Sequence, residues 1–303
     1  MSTTSPLQNV QHPAFDLSAF GKVRLTGKDR AAFLQNFTTN DVVKPGAGQG
    51  CEAFLTTAQA KIVAWLRICL SQKHLDLNME PGLAGKVISH LERYIIGEEV
   101  QLEDRTDSDF LWLIPEHPEL GRLELWQHCC PGDGLTLQRC DFLGSPSAFL
   151  WGTRSSLSMA QAMVSSPLLT TDDPQWDILR LEAGTPAYGI DFDESNLPQE
   201  VNRTEQAISF TKGCYIGQET VARIRAYGHV NRQLKRVLLT GPVNNAASWM
   251  NVPLMVNDKE IGKLKTVACS QQLGWMGFAM LRKEYVATGT VLQAREGVEA
   301  RVM

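Results

Sequence analysis

The segment Lys212-Gly-Cys-Tyr-Ile-Gly-Gln-Glu219 sets a thiol between an ammonium and a phenol, with a glycine ahead of what reads as a helix start. Gly217 opens the run GQETVARIR, in which Val221 and Ile224 share a face. Cys214 then lies just before a helix N-terminus, where unpaired backbone N–H groups and the helix dipole favour an anion. Lys212 is two residues away. Both influences lower a thiol pKa and raise thiolate reactivity, so Cys214 is the candidate functional thiol and Lys212 its candidate activating cation. Six basic residues (Lys212, Arg223, Arg225, Arg232, Lys235, Arg236) and one acid, Glu219, fall between positions 212 and 236. That segment suits a carboxylate-bearing ligand. The bland alternative is a small residue in a tight turn beside a solvated basic face.

Several elements must position this segment. Lys22–Leu25 reads as a strand and Asp29–Phe37 as a helix with Ala32, Phe33 and Phe37 near one face. Strand-like runs follow at 51–57, 61–69 and 74–79. Leu83, Val87, Leu91 and Ile95 recur every fourth residue and predict an amphipathic helix. Further strands are expected near 100–103, 109–114, 123–128, 135–140 and 147–151. A helix is bounded by Asp173 as cap, Pro174 at its first position and Gly184 as its stop. The polar loop 185–202 comes next; its length and its aromatic members suit an ordered functional loop. After residue 232, short runs at 234–240, 252–256, 260–269, 273–281 and 290–294 predict a small antiparallel barrel. The mixture is α+β, with a domain boundary placed at 230/231.

The 303 residues are 43% hydrophobic, 20% charged and carry a net charge of −4. A pI near 5.9 gives no overall basic signal for nucleic acid. The seven cysteines show no framework spacing, and the first residues show neither a secretory nor a transit pattern. No apolar run approaches the roughly 18 residues that span a bilayer. These features predict a cytoplasmic protein with reduced thiols and no membrane contact. Neither a phosphate-binding loop, a dinucleotide fingerprint nor a nucleophile elbow is present.

The run Lys212-Gly-Cys-Tyr-Ile-Gly-Gln-Glu219 resembles the motif of the YgfZ family of folate-binding proteins, relatives of the aminomethyltransferase (T protein) of the glycine cleavage system. Leu25-Thr-Gly-Lys-Asp29 and Thr39-Asn-Asp-Val42 resemble the family's N-terminal motif. Arg180-Leu-Glu-Ala-Gly184, Pro186-Ala-Tyr-Gly189 and Leu197-Pro-Gln-Glu200 resemble its central motif. The resemblance implies two interlocked ferredoxin-like α+β units around a central cavity, followed by a C-terminal β-barrel. It implies a bound tetrahydrofolate or derivative, flanked by aromatic side chains and recognised by a glutamate. The matching positions are Trp176, Glu182 and Phe20, with Tyr188 as an edge contact and Arg223 or Arg225 for the ligand's glutamate tail. Trp176 and Glu182 are six apart and do not share a helix face. Read without the resemblance, Trp176 is a core residue and Glu182 a surface carboxylate.

Bacterial members of that family are described as tRNA-modifying, and mitochondrial members assist iron–sulfur cluster assembly. Folate and iron–sulfur client or assembly proteins are therefore the implied partners. The aminomethyltransferase carries an acidic pair where this chain has Ala64 and Trp65. Neither side chain can transfer a proton, which tells against the rival reading, a folate-dependent one-carbon transferase or demethylase. A third reading is direct tRNA binding through 223–236 with Tyr227 and His229. Two metal readings, at Asp191, Asp193 and Glu194 and at His128, Cys129, Cys130 and Cys140, lack full ligand spacing. A solvated loop and buried structural thiols are preferred for them.

Overall fold

The first element among the described residues is a short strand, β1 (Ala14–Asp16), and a sheet follows from β2 (Gly21–Thr26), β3 (Gln49–Thr56), β4 (Ile62–Leu70), β5 (Leu75–Met79) and β6 (Gln101–Asp104). The computed structural model describes residues 12–228 and 230–303. The expectations placed on residues 1–11, on His229 and on the Tyr227 side chain lie outside the described residues. Strand order in this first sheet is β3-β4-β5-β2-β6. The helices α1 (Arg30–Gln35) and α2 (Ala84–Glu92) cover one face of it. The run Ile62–Leu70 is buried at every position, because a strand covered on both faces reads as continuous apolar sequence rather than as an alternation.

The second sheet is formed by β7 (Asp109–Ile114), β8 (His128–Cys129), β9 (Leu135–Cys140), β10 (Ser147–Thr153) and β11 (Leu168–Thr170), with β1 as the sixth strand. β1 precedes the first sheet in the chain yet pairs with β7 and β11, so the two α+β units interlock. Between β10 and β11 lies α3 (Leu157–Met163). β1, β11 and α3 were not expected from the sequence; the two strands have three residues each and are too short to show a period. The strand expected over 123–128 shrinks to His128–Cys129.

The well-signalled helix, α4 (Pro174–Ala183), runs between its predicted bounds. Asp173 accepts the Gln175 N–H at 2.9 Å, and Gly184 ends the helix with a left-handed φ of 76°. The short α5 (Thr204–Ala207) and α6 (Gln218–Tyr227) follow. The remaining strands are β12 (Arg232–Thr240), β13 (Pro253–Val256), β14 (Lys259–Ser270), β15 (Gly274–Arg282), β16 (Val291–Gln293) and β17 (Glu299–Val302). They close an antiparallel barrel in the order β12-β15-β14-β13-β16-β17. Closure removes the open edges that a free sheet would leave. No described helix is long and apolar enough to cross a membrane.

Candidate functional site

An apolar core joins the two sheets, and its aromatic rings line up in a column. Phe54 stacks on Trp65 (centroids 6.5 Å apart), Trp65 on Phe142 (5.9 Å) and Phe142 on Trp176 (5.7 Å), with interplanar angles of 27°, 21° and 23°. Phe15 and Phe20 meet Trp176 edge-on at 5.1 and 6.4 Å. At the Trp176 end of the column lies a cavity of about 510 Å³. Its walls include Phe20, Phe142, Trp176 and Tyr188. Size and aromatic lining suit a flat ligand of cofactor dimensions.

Buried polar bonds hold α4 and the loop 185–202 around this space. Arg180 is fully buried and all of its nitrogens are engaged. Its Nε donates to Asp177 at 2.8 Å, its Nη1 to Asp191 at 2.6 Å, and its Nη2 to the Thr266 hydroxyl on β14. Asp191 also accepts the Ala187 N–H at 2.8 Å and the Thr266 N–H and hydroxyl at 3.1 and 2.6 Å. The loop is thus tied to both the helix and the barrel. Asp191 was expected on a solvated loop; it is instead the buried counter-charge of Arg180.

A second buried ion pair stands at the cavity wall. Arg67 on β4 packs against the aromatic column, its guanidinium carbon 4.2 Å from the Trp65 ring centre and 5.0 Å from that of Phe142. Its Nη2 donates to Glu80 Oε1 at 2.5 Å. Glu80 follows β5 and lines the cavity. Sequence reasoning missed both residues. The available signal was Arg67 alone inside the otherwise apolar run IVAWLRICL, since a buried charge must find a partner; Glu80 closes LDLNME, where Asp76 and Asn78 made it inconspicuous.

The site residues expected from the sequence divide into two groups. Phe20, Trp176 and Tyr188 come together around the cavity. Glu182 does not join them: it leaves α4 on another side, where its carboxylate accepts the Ser270 hydroxyl at 2.5 Å. Its distance of six residues from Trp176 already set the two on different faces. Arg223 pairs with Glu219 on the exposed side of α6 at 2.6 Å. Arg225 covers the Phe210 ring at 4.0 Å, in a separate groove between α6 and the barrel. Neither arginine reaches the cavity. Outside the buried Arg67 and Arg180, the exposed Lys86 lies near the aromatic wall, with Nζ 6.0 Å from the Tyr188 ring centre and 2.5 Å from Glu194.

Lys212 and Cys214 also stand apart from the cavity lining. Lys212 is buried, and its ammonium donates to the carbonyls of Gln35, Thr38 and Asn40 at 2.7, 2.5 and 2.9 Å. Burial pushes its pKa from 10.5 down to about 8, against the pull of Asp41 and Cys51. The ammonium therefore clamps two loops together. Cys214 is exposed. The next residues dock through Ile216, whose N–H donates to Asn36 O at 2.8 Å and whose carbonyl accepts the Thr56 hydroxyl at 2.8 Å. The basic stretch is not one patch: Arg232 pairs with Glu200 at 3.0 Å, and Arg236 Nη1 donates to the carbonyls of Leu181 and Glu182. Ala64 and Trp65 are both fully buried on β4, and Trp65 sits within the aromatic column. Of the thiols once weighed for a metal, Cys140 is buried against Ser147 Oγ at 3.4 Å, Cys129 is half-buried and Cys130 is exposed.

No protein-family model matches the chain. A chloroplastic protein of Arabidopsis thaliana, whose name assigns it provisionally to the transferases, is 26% identical over 309 residues, 95% of this chain and 69% of that one. The tRNA-modifying protein YgfZ of Yersinia enterocolitica is 26% identical over 297 residues, covering 94% of this chain and 88% of its own. Its Yersinia pestis counterpart is 25% identical over 226 residues, 72% and 68% of the two chains. Among solved structures, the glycine cleavage system aminomethyltransferase T of Bartonella henselae superposes with a TM-score of 0.83 over 96% of this chain and 85% of that one, at 17% identity. The chain is thus similar along nearly its whole length to tRNA-modifying proteins named YgfZ, and it shares the fold of the glycine cleavage aminomethyltransferase T.

Proposed function

We propose that the chain binds a folate-type ligand, tetrahydrofolate or a derivative, in the aromatic cavity. On this reading it is an accessory protein that acts in the cytosol and supports assembly or repair of iron–sulfur enzymes, including those that modify tRNA. The observation that carries the reading is the convergence of Phe20, Trp176 and Tyr188 on one cavity of about 510 Å³. A pterin is flat, so ring faces can stack on it while polar groups meet its edge. Relatives named as tRNA-modifying proteins support the link to tRNA. Because the cations of 223–236 are divided among separate partners, that link is proposed to run through client enzymes rather than direct tRNA contact.

Trp65 argues against the transferase alternative. An indole offers one N–H and no exchangeable acid at neutral pH, so it cannot take the part of an aspartate in moving a proton. Cys214 is the proposed functional thiol, and its exposure lets a partner protein reach it. In a strain lacking the protein, the Cys214→Ala variant is expected to bind tetrahydrofolate normally and fail to restore iron–sulfur enzyme activity. Full restoration by the alanine variant would remove the thiol from the account.

A further inference from the structure

A second concavity, of about 380 Å³, opens on the outer wall of the barrel and shares no lining residue with the aromatic cavity. Four of its lining side chains are cations drawn from three neighbouring strands: Arg232 on β12, Arg282 on β15, and Lys263 and Lys265 on β14. Glu260 is the one acid in the lining. The protein answers this charge only in part. Arg232 pairs with Glu200, outside the lining, at 3.0 Å. Glu260 reaches Lys263 at 3.8 Å, with both side chains exposed. Lys265 and Arg282 have no carboxylate within 4.0 Å among the described residues. Arg232 and Arg282 are direct partners in the β12–β15 register, so their side chains leave the same face of the sheet, where like charges repel. On a chain of net charge −4, a concave cluster of this sign focuses a field suited to an anion. No aromatic ring lines it, so it offers charge and hydrogen bonds without a stacking face.

We propose that this groove binds a compact oligophosphate, a di- or triphosphate group, either as the free anion or as the end of a nucleotide. With Glu200 counted against Arg232 and Glu260 against Lys263, the groove still carries two uncompensated positive charges, those of Lys265 and Arg282. A multiply charged anion matches them, and a single carboxylate does not. Phosphate oxygens point in several directions, so ammonium and guanidinium donors on three strands can reach one ligand together. Lys265 and Arg282 make the principal contacts, and Lys263 exchanges its loose pairing with Glu260 for the ligand. Arg232 is held in place by Glu200 and by Ser195, whose carbonyl and hydroxyl accept from Nη2 at 3.1 and 3.2 Å. An anion between Arg232 and Arg282 relieves their repulsion. The site does not depend on the folate-type reading, because no residue of the aromatic cavity takes part in it.

Titration calorimetry of the full chain with inorganic tripolyphosphate at fixed ionic strength tests this, with citrate as the carboxylate comparison. Wild type is expected to bind tripolyphosphate saturably with a Kd below about 1 mM, and citrate about tenfold or more weakly. The double variant Lys265→Gln, Arg282→Gln removes the two uncompensated cations and is expected to bind tripolyphosphate about 10- to 100-fold more weakly. Lys259→Gln removes an exposed cation of β14 outside the lining and is expected to change the affinity by less than about twofold. Absence of saturable binding to wild type overturns the proposal, as does full affinity in the folded double variant. Equal weakening by Lys259→Gln also overturns it, since a diffuse surface field then suffices, and so does citrate bound as tightly as tripolyphosphate. ATP separates the two sources. Affinity equal to that of tripolyphosphate supports a nucleotide end, and a clear preference for tripolyphosphate supports the free anion. ATP bound where tripolyphosphate is not overturns recognition of the phosphates. Should the double variant not fold, Lys265→Gln and Arg282→Gln are titrated singly, each with about a 3- to 10-fold loss expected.

Discussion

Lys212 carries an ammonium into a place that offers three carbonyls and, among the described residues, no carboxylate within 4.0 Å. Three N–H bonds to three acceptors use the full donor set of a protonated lysine. The result joins the loop after α1 to the loop that carries Cys214, so one motif residue supports the backbone of another. Replacing Lys212 by Met takes the ammonium from the Gln35 and Thr38 carbonyls and leaves Asn40 O only the Thr38 hydroxyl at 3.3 Å. Each buried unsatisfied group costs about 1–3 kcal/mol, and a loss of about 3 kcal/mol in urea unfolding is expected for Lys212→Met. A loss below about 1 kcal/mol would mean that water replaces the ammonium without penalty.

At the scale of elements, the motif's second glycine is fixed by packing. Gly217 precedes α6 with φ of +88°, and a Cβ there would lie 2.6 Å from Thr57 O in the turn between β3 and β4. Gly217→Ala combines left-handed strain with a backbone clash, and a destabilisation of about 2–4 kcal/mol is expected in thermal unfolding. An unchanged midpoint would show that the turn yields. The same residues show what local sequence can and cannot convey. Asp173, Pro174 and Gly184 state the bounds of α4 because capping is settled by neighbours in the chain. Trp176, Phe20 and Tyr188 were legible through the family resemblance. The buried ion pair at the cavity wall was not, because Glu80 finds its partner Arg67 13 residues away across the sheet. Glu182, by contrast, was claimed by Ser270, 88 residues further on. Tertiary partners of this kind leave no period in the sequence.

For the whole molecule, buried titratable groups make stability depend on pH in two opposed ways. Burial lowers Lys22 and Lys212 from 10.5 to about 8. Between those values the unfolded chain holds protons that the folded chain has released, so stability rises with pH through that window. Burial raises Cys51 and Cys140 from 9.0 to about 12, Tyr215 from 10.0 to about 12, and Cys69 well above its ordinary value. There the unfolded chain releases protons first, so stability falls as pH passes about 9. The two effects predict a maximum near pH 9 in urea unfolding under reducing conditions. A steady decline from pH 7.5 upward would contradict them. Arg180, Asp191 and Thr266 join the barrel to the cavity helix and loop. The most direct measurement of the central claim is tetrahydrofolate binding to the purified chain, read by tryptophan quenching, with Trp176→Ala alongside. Saturable binding is predicted, weakened about 5- to 30-fold in the variant through loss of a stacking face, an effect of about 1–2 kcal/mol. Absence of binding to the folded wild type, or equal affinity in a folded Trp176→Ala variant, would contradict it.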